Sequence, residues 1–343
     1  MNTKYTGALI DIRSQVEKEK DWQHSELFGA GVYEWKDFDE SKIPKFTIRN
    51  QNGSGMCGAF SSVKALGINN FYENNEYVDL DPRFIYNLRS NKGEGMYMSE
   101  MFKIACDYGA PLDTKLSGDN LSEMQASKYV ITDTVKKEAI KYKGKNYLFV
   151  DKKDLDSVAK LIDQGYTPII LLRCNIKEWT AEPYISPEIL PKDYNVNHYV
   201  PLIYAGKRNG VKTFVCSDSW GSSYGKNGLR YISEDFMLSR VESVGYIIDL
   251  PNEKPTDIVK YNFTRTLIQG MSGDDVQMLQ KILYKEGFFP TSETTKYYGA
   301  ITAAAVLKYQ LKYNIDTVEA LKKLGGKSFG PKSIAFTNKK YGQ

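Results

Sequence analysis

Cys57 and His198 are the two positions whose residue types and surroundings could make a nucleophile and its base. Cys57 follows Gly53-Ser54-Gly55-Met56 and opens a helical pattern in which Ala59, Phe60, Val63 and Leu66 share a face. At a helix's first turn the free backbone N–H groups and the dipole favour negative charge, and the thiolate is the form in which sulfur attacks. Of the two histidines, His24 lies in a polar stretch and is expected at the surface, which leaves His198 as the working imidazole. Gln51 stands six residues before Cys57, so its amide can donate to a developing oxyanion alongside the Cys57 backbone N–H. Asp218, in Ser217-Asp218-Ser219-Trp220-Gly221, ends a strand that can bring it to the far ring nitrogen of His198, with Trp220 shielding that bond from water. A thiol so equipped attacks an amide carbonyl and forms a thioester that water then hydrolyses.

The remaining cysteines, Cys106, Cys174 and Cys216, are widely spaced, with no CxxC pair and no histidine cluster. Neither a zinc site nor a disulfide framework is suggested, no metal or cofactor is expected, and these three read as core residues.

The elements that position these groups change character along the chain. Helical patterns cover Ser99 to Tyr108, stopped by Gly109-Ala110-Pro111, and Lys152 to Gln164, which leads into a buried-strand signature over Thr167 to Arg173. From His198 onward come short strands at Tyr199 to Tyr204, Thr213 to Cys216, Leu229 to Ile232 and Val244 to Leu250. Helices first and strands later predict an α+β domain of two segregated halves. Residues 1–44 read as an extension, with Trp22 and the Tyr33-Glu34-Trp35 cluster packing on a main domain at 45–250; the polar segment at 251–260 reads as a linker.

The segment Gln51-Asn52-Gly53-Ser54-Gly55-Met56-Cys57-Gly58-Ala59-Phe60-Ser61 resembles the nucleophile segment of papain-like cysteine peptidases. Asn197-His198 before an apolar strand resembles their histidine segment, and Asp218-Ser219-Trp220-Gly221 with Tyr224-Gly225-Lys226-Asn227-Gly228 resembles their N-S-W-G…W-G-x-x-G segment. The resemblance implies a two-lobed fold, a helical lobe plus a β-barrel-like lobe. It implies Cys57 as nucleophile, His198 as base and acid, Gln51 as oxyanion donor and Asp218 in the place of an orienting Asn. By the same layout Gly95 pairs with bound peptide, and Met96, Tyr97, Val196, Tyr199 and Trp220 contact substrate. Three departures stand out. Asp218 adds a charge that favours protonated His198. Gly58 replaces a usual Trp and removes bulk beside the nucleophile. Ser54 and Lys92 stand where the family often has a disulfide, which fits folding in a reducing compartment. No inhibitory pro-helix pattern precedes Cys57, so an autoinhibited precursor is not expected.

Residues 261–343 form a second region. Gly270-Met271-Ser272-Gly273-Asp274-Asp275-Val276 before Leu279-Gln280, Gly299 before Thr302 and Ala305-Val306, and Gly330-Pro331-Lys332 predict a small three-helix bundle. Ser272 or Asp274 would cap its first helix. These motifs resemble peptidoglycan-binding domains, which implies cell-wall glycan as partner. Tyr297, Tyr298 and Phe288 are candidates for sugar contact, with bundle core as their alternative.

Charge divides along the same line: the last 83 residues hold 12 Lys/Arg against 6 Asp/Glu, although the whole chain is only +4. A basic tail suits an anionic wall, and no nucleic-acid partner is expected. No run approaches the ~18 apolar residues of a membrane span. The first residues lack the apolar core of a secretory signal, so synthesis in the cytoplasm is expected. The expectation is therefore an endopeptidase acting on protein or on wall peptide, at a cell wall or in a virion, with phage-encoded lysis one such setting. A catalytically inactive wall-binding protein and an acyl transferase are the alternatives.

Overall fold

The protein's computed structural model describes residues 7–14, 18, 21, 23–25, 32–91, 93–181, 183–185, 194, 196–248, 261–286, 288–289 and 294–342. The chain divides into two compact units, Met1–Asp21 with Ala30–Asp249, and Trp22–Gly29 with Leu250–Gln343. Trp22, Lys92 and the linker expected at 251–260 lie outside the described residues.

In the first unit, helix α1 (Cys57–Asn74) begins at Met56 with no side-chain cap and ends at Asn75 in the left-handed region (φ 56°). It is buried from Cys57 through Asn69, so it is a central helix and not an amphipathic surface one. Helix α2 (Pro82–Leu88) starts at Asp81, whose carboxylate accepts the Arg83 N–H, and has Pro82 in its first turn. Helix α3 (Met98–Asp107) follows a pair of two-residue strands, β1 (Ala8–Leu9) and β2 (Met96–Tyr97), which run parallel.

Seven further strands make one sheet in the spatial order β3 (Asn146–Val150), β9 (Val241–Ile248), β4 (Ile169–Cys174), β6 (Val196–Arg208), β7 (Val211–Ser217), β8 (Leu229–Ser233) and β5 (Tyr184–Ile185). All neighbours are antiparallel except β5 and β8. Cys57, Phe60, Val63 and Leu66 share one apolar core with Met101, Phe102, Ile169, Leu171 and Tyr199, so the sheet packs against α1. Helix α4 (Leu155–Asp163) is capped by Asp154, and helix α5 (Ile176–Ala181) follows β4. Strand β6 begins two residues before His198, placing the imidazole inside the ladder opposite Leu172 and not at the strand's first position. Trp35 donates to Asp156 at 2.7 Å and meets the Phe214 ring edge-on at 5.4 Å, so this part of the N-terminal stretch packs on the sheet-bearing unit.

The second unit contains helices Asp274–Lys285, Ala300–Lys312 and Pro331–Tyr341, with a short additional helix at Val318–Leu324 capped by Thr317. A two-strand antiparallel pair joins Leu267–Ile268 to Ser328–Phe329. The first helix is not capped by Ser272 or Asp274: Gly273 holds the cap position at φ 156°, which glycine tolerates. Tyr298 is fully buried and donates to the Gly326 carbonyl at 2.7 Å, so it is bundle core and not a sugar contact, whereas Tyr297 is 44% exposed. His24, expected at the surface, is buried; its polar sequence neighbours carry no information about what folds over it.

Candidate active site

The nucleophile segment is stitched to the strand end that carries Asp218. Gln51 N–H donates to the Ser219 carbonyl at 2.7 Å, and Gly221 N–H donates to that of Arg49 at 3.0 Å. The Ser219 hydroxyl donates to Gln51 Oε1 at 2.6 Å, which fixes the amide's orientation, and Gln51 Nε2 spends one hydrogen on the Ser54 carbonyl at 2.8 Å. Cys57, at the start of α1, is fully buried.

His198, on β6, meets Asp218, the residue just past the end of β7. Nε2 of His198 lies 2.9 Å from Asp218 Oδ1, an oxygen that also accepts the Ser219 N–H at 2.7 Å. The Cys57 sulfur acts on the ring's charge from outside the Asp218 pair, by hydrogen bonding and by charge. Burial opposes charge on the imidazole, but the Asp218 carboxylate and the Cys57 sulfur outweigh it and hold its pKa up at about 9. Burial likewise opposes the Asp218 charge, and His198 and Arg230 together hold that carboxyl down at about 2. The Trp220 ring lies 4.8 Å from the imidazole and covers it.

The cleft above the sulfur is occupied by the chain's own N-terminal segment. Gly7 accepts the Met96 N–H at 3.0 Å, Ala8 pairs with Met96 and Leu9 with Tyr97, and the Tyr199 hydroxyl donates to the Leu9 carbonyl at 3.1 Å. Gly95 (φ 92°) lies directly beneath: a methyl on its α-carbon would come 2.7 Å from the Gly7 carbonyl oxygen. Just past this strand, the Arg13 guanidinium bridges Asp11 and Asp21, both at 2.6 Å. The lack of a pro-helix pattern did not announce this placement, because a two-residue strand leaves no periodicity to read.

Met96 and Tyr199 are fully buried beneath this segment in the core that also holds Ala8; Val196 is buried on β6 and Tyr97 is half-buried. The space beside Gly58 is not empty either. A β-carbon there would come 3.1 Å from the Met101 sulfur and 3.3 Å from the Tyr199 ring, so these side chains supply the bulk that Gly58 omits.

Four contributors escaped the sequence reading. Arg230 Nε and Trp179 Nε1 both donate to Asp218 Oδ2, at 2.7 and 2.9 Å. An arginine inside the strand pattern Leu229-Arg230-Tyr231-Ile232 was the available signal. Glu123 accepts the Gly55 N–H at 2.8 Å and the Tyr86 hydroxyl at 2.6 Å, while Tyr86 accepts the Gly95 N–H at 3.2 Å. This chain ties the nucleophile loop to the strand that holds the cleft's occupant, and nothing in the spacing of Tyr86, Gly95 and Glu123 announces it. Cys106, Cys174 and Cys216 are buried, and the described residues contain no cluster suited to a metal.

Comparison with known proteins agrees with this geometry. Residues 32–245 match the family model described as papain family cysteine protease, and residues 272–318 match a peptidoglycan binding domain. Cathepsin L 1 of Paramecium tetraurelia is 28% identical over 205 residues, 58% of each chain. Peptidase 1 of Euroglyphus maynei is 23% identical over 209 residues, 59% of this chain and 62% of that protein. The chain thus spans about three-fifths of the length of these curated relatives. Xylellain, a cysteine protease from Xylella fastidiosa, shares the fold with a TM-score of 0.58 at 17% identity, covering 72% of this chain and 97% of its own. With residues 32–245, more than half of its length, matching that family model, this chain belongs to the papain family of cysteine proteases.

Proposed function

We propose that the protein is a cysteine endopeptidase whose resting form is blocked by its own N-terminal strand. The observation that carries this reading is the buried His198–Asp218 pair, 2.9 Å apart, beside a cysteine at a helix's first turn. Cys57 sulfur attacks the carbonyl carbon of a peptide bond, with the oxyanion taken by the Cys57 N–H and the Gln51 amide. The C–N bond then breaks as His198 gives its proton to the leaving amine. Water attacks the resulting thioester, His198 accepts the water's proton, and the C–S bond breaks to restore the thiolate. Asp218 holds the ring in its working tautomer, and Gly95, Met96 and Tyr97 hold the substrate backbone once Gly7–Leu9 has left.

The second unit supports a wall-directed role. A basic bundle that matches a peptidoglycan binding domain would raise the enzyme's local concentration at a cell wall. An exported or phage-encoded lytic enzyme is the setting in which the two parts work together.

The test uses the full chain, its Cys57→Ala variant and a Gly7→Leu variant, each incubated with a peptide library and with purified sacculi, the products read by mass spectrometry. Cleavage by Gly7→Leu that disappears with Cys57→Ala is expected. Cleavage surviving in Cys57→Ala removes the assigned nucleophile, and an acyl group found on an added amine in place of water makes the enzyme a transferase.

A further inference from the structure

We infer that Arg230, together with Trp179, is a positioning residue that makes a carboxylate obligatory at position 218. The inference rests on the thiol-enzyme reading of Cys57 and His198 and goes beyond it, since neither Arg230 nor Trp179 touches the reacting atoms.

The two oxygens of Asp218 have separate partners. Oδ1 takes the His198 ring and the Ser219 N–H, at 2.9 and 2.7 Å. Oδ2 takes Arg230 Nε–H and Trp179 Nε1–H, at 2.7 and 2.9 Å. Every one of these four contacts needs an acceptor. An asparagine could serve the Oδ1 side, but its NH₂ would then point at two N–H donors with nothing to receive its own hydrogens. In a site where Asp218 is 2% exposed and Arg230 and Trp179 are fully buried, no water relieves that conflict. The pocket is built for a carboxylate, which accounts for the departure from the Asn that the family usually carries here.

Arg230 cannot step aside. Its register on β8, opposite Cys216 on β7, is set by the ladder, and its guanidinium lies over the indole of Trp179 at 4.8 Å and near that of Trp220 at 5.9 Å. Other ionisable groups in the neighbourhood do not replace its charge. Burial pushes the thiols of Cys174 and Cys216 up, so both are neutral. Glu178 is an acid like Asp218, and the Arg240 guanidinium sits over the Tyr194 ring at 4.1 Å. Cys57 favours the charged imidazole and carries no positive charge. Arg230 is therefore the cation that balances Asp218, and it tempers how strongly that carboxylate holds a proton on His198.

The chain contains only two histidines, so the His198 ring can be followed directly by NMR of histidine-labelled protein, with His24→Gln giving the assignment. In the full-length chain, Arg230→Gln is expected to raise the His198 titration midpoint by about one pH unit, and Arg230→Lys to leave it in place. With the cleft opened by Gly7→Leu, Asp218→Asn is expected to lower kcat/KM by about 100-fold, and adding Arg230→Gln, whose amide oxygen can accept from the new NH₂, to restore about tenfold of it. Losses that simply multiply, with an unmoved His198 midpoint, would show that Arg230 only fills space. Should Arg230→Gln fail to fold, Trp179→Phe, which removes the other donor to Asp218 Oδ2, decides: a raised His198 midpoint supports the inference, and an unmoved one overturns it. A protein that titrates as expected yet hydrolyses no peptide overturns the peptidase reading and leaves the assignment of Arg230 standing.

Discussion

Gly7 lies against Cys57. A methyl group on the Gly7 α-carbon would reach within 2.8 Å of the sulfur and closer still to the Gly55 carbonyl oxygen. The contact exists because position 7 has no side chain, and the parallel pairing of Ala8 with Met96 and Leu9 with Tyr97 holds it there. The proposed nucleophile and the segment lying over it thus belong to one unit.

Gly7→Leu cannot keep this path, since the obstacle is partly backbone. The segment should leave the cleft, and alkylation of Cys57 by iodoacetamide should accelerate at least tenfold, equivalent to about 1.4 kcal/mol or more of lost occlusion. An unchanged rate, read by mass spectrometry of the Cys57 peptide, would mean that the strand does not guard the sulfur.

The Glu123–Tyr86–Gly95 chain offers a second test. Tyr86→Phe removes the hydroxyl that donates to Glu123 and accepts from Gly95, leaving the Gly95 N–H without that partner. The expected cost is about 1–3 kcal/mol in urea unfolding, with a rise in KM larger than the fall in kcat, because the substrate-holding strand loses its tie to the nucleophile loop. A fall in kcat alone would contradict this placement.

His198 and Asp218 dictate the pH response. The His198 pKa stands near 9, above its ordinary 6.5, so the pair's stabilising effect is complete below about pH 6.5 and is lost as pH rises through about 9. Asp218 stands near 2, below its ordinary 3.8, so its contribution is present above about pH 3.8 and disappears as pH falls through about 2. The leaving amine needs the imidazolium proton, so kcat/KM should fall above about pH 9. Asp218→Asn should bring that limb to lower pH. A limb that stays put would separate Asp218 from the proton on His198.

Arg49 holds the nucleophile segment from behind. Its guanidinium, 3% exposed, bonds Asp113 at 2.8 Å, Asp119 at 2.6 Å and the Leu80 carbonyl at 3.1 Å. Arg49→Met would leave these buried carboxylates uncompensated, at a cost of about 3–5 kcal/mol. Urea unfolding at pH 7 should show this loss, and an unchanged midpoint would contradict the role given to Arg49.

In the second unit, Tyr297 and Tyr298 should separate binding from stability. Tyr297→Ala, at a 44% exposed position, should weaken retention on sacculi with little effect on unfolding. Tyr298→Phe removes a buried donor from the Gly326 carbonyl and should cost about 1 kcal/mol with retention unchanged. The reverse pattern would move the glycan surface elsewhere.

The residues of the site were legible one by one, and their company was not. Cys57 at a helix start, Gln51 across a glycine loop, His198 in a strand and Asp218 at the end of the next follow from local pattern and turn chemistry, which depend on near neighbours along the chain. Asp218 could be read as an orienting group, but its two donors at Oδ2 come from α5 and β8, 39 residues before it and 12 after. The bulk that Gly58 lacks comes from Met101 and Tyr199, and the sulfur's cover comes from residue 7.

By itself the sequence determined which side chains could do chemistry and the α+β order of the elements that carry them, because side-chain type and hydrophobic period are local properties. Only the tertiary structure decided that Asp218 is charge-balanced by Arg230, that His24 is inside, and that the cleft is closed by Gly7, Ala8 and Leu9. Each of these depends on which distant segments share a low-dielectric interior, and a short strand or a single buried cation leaves almost no period in the chain to mark it.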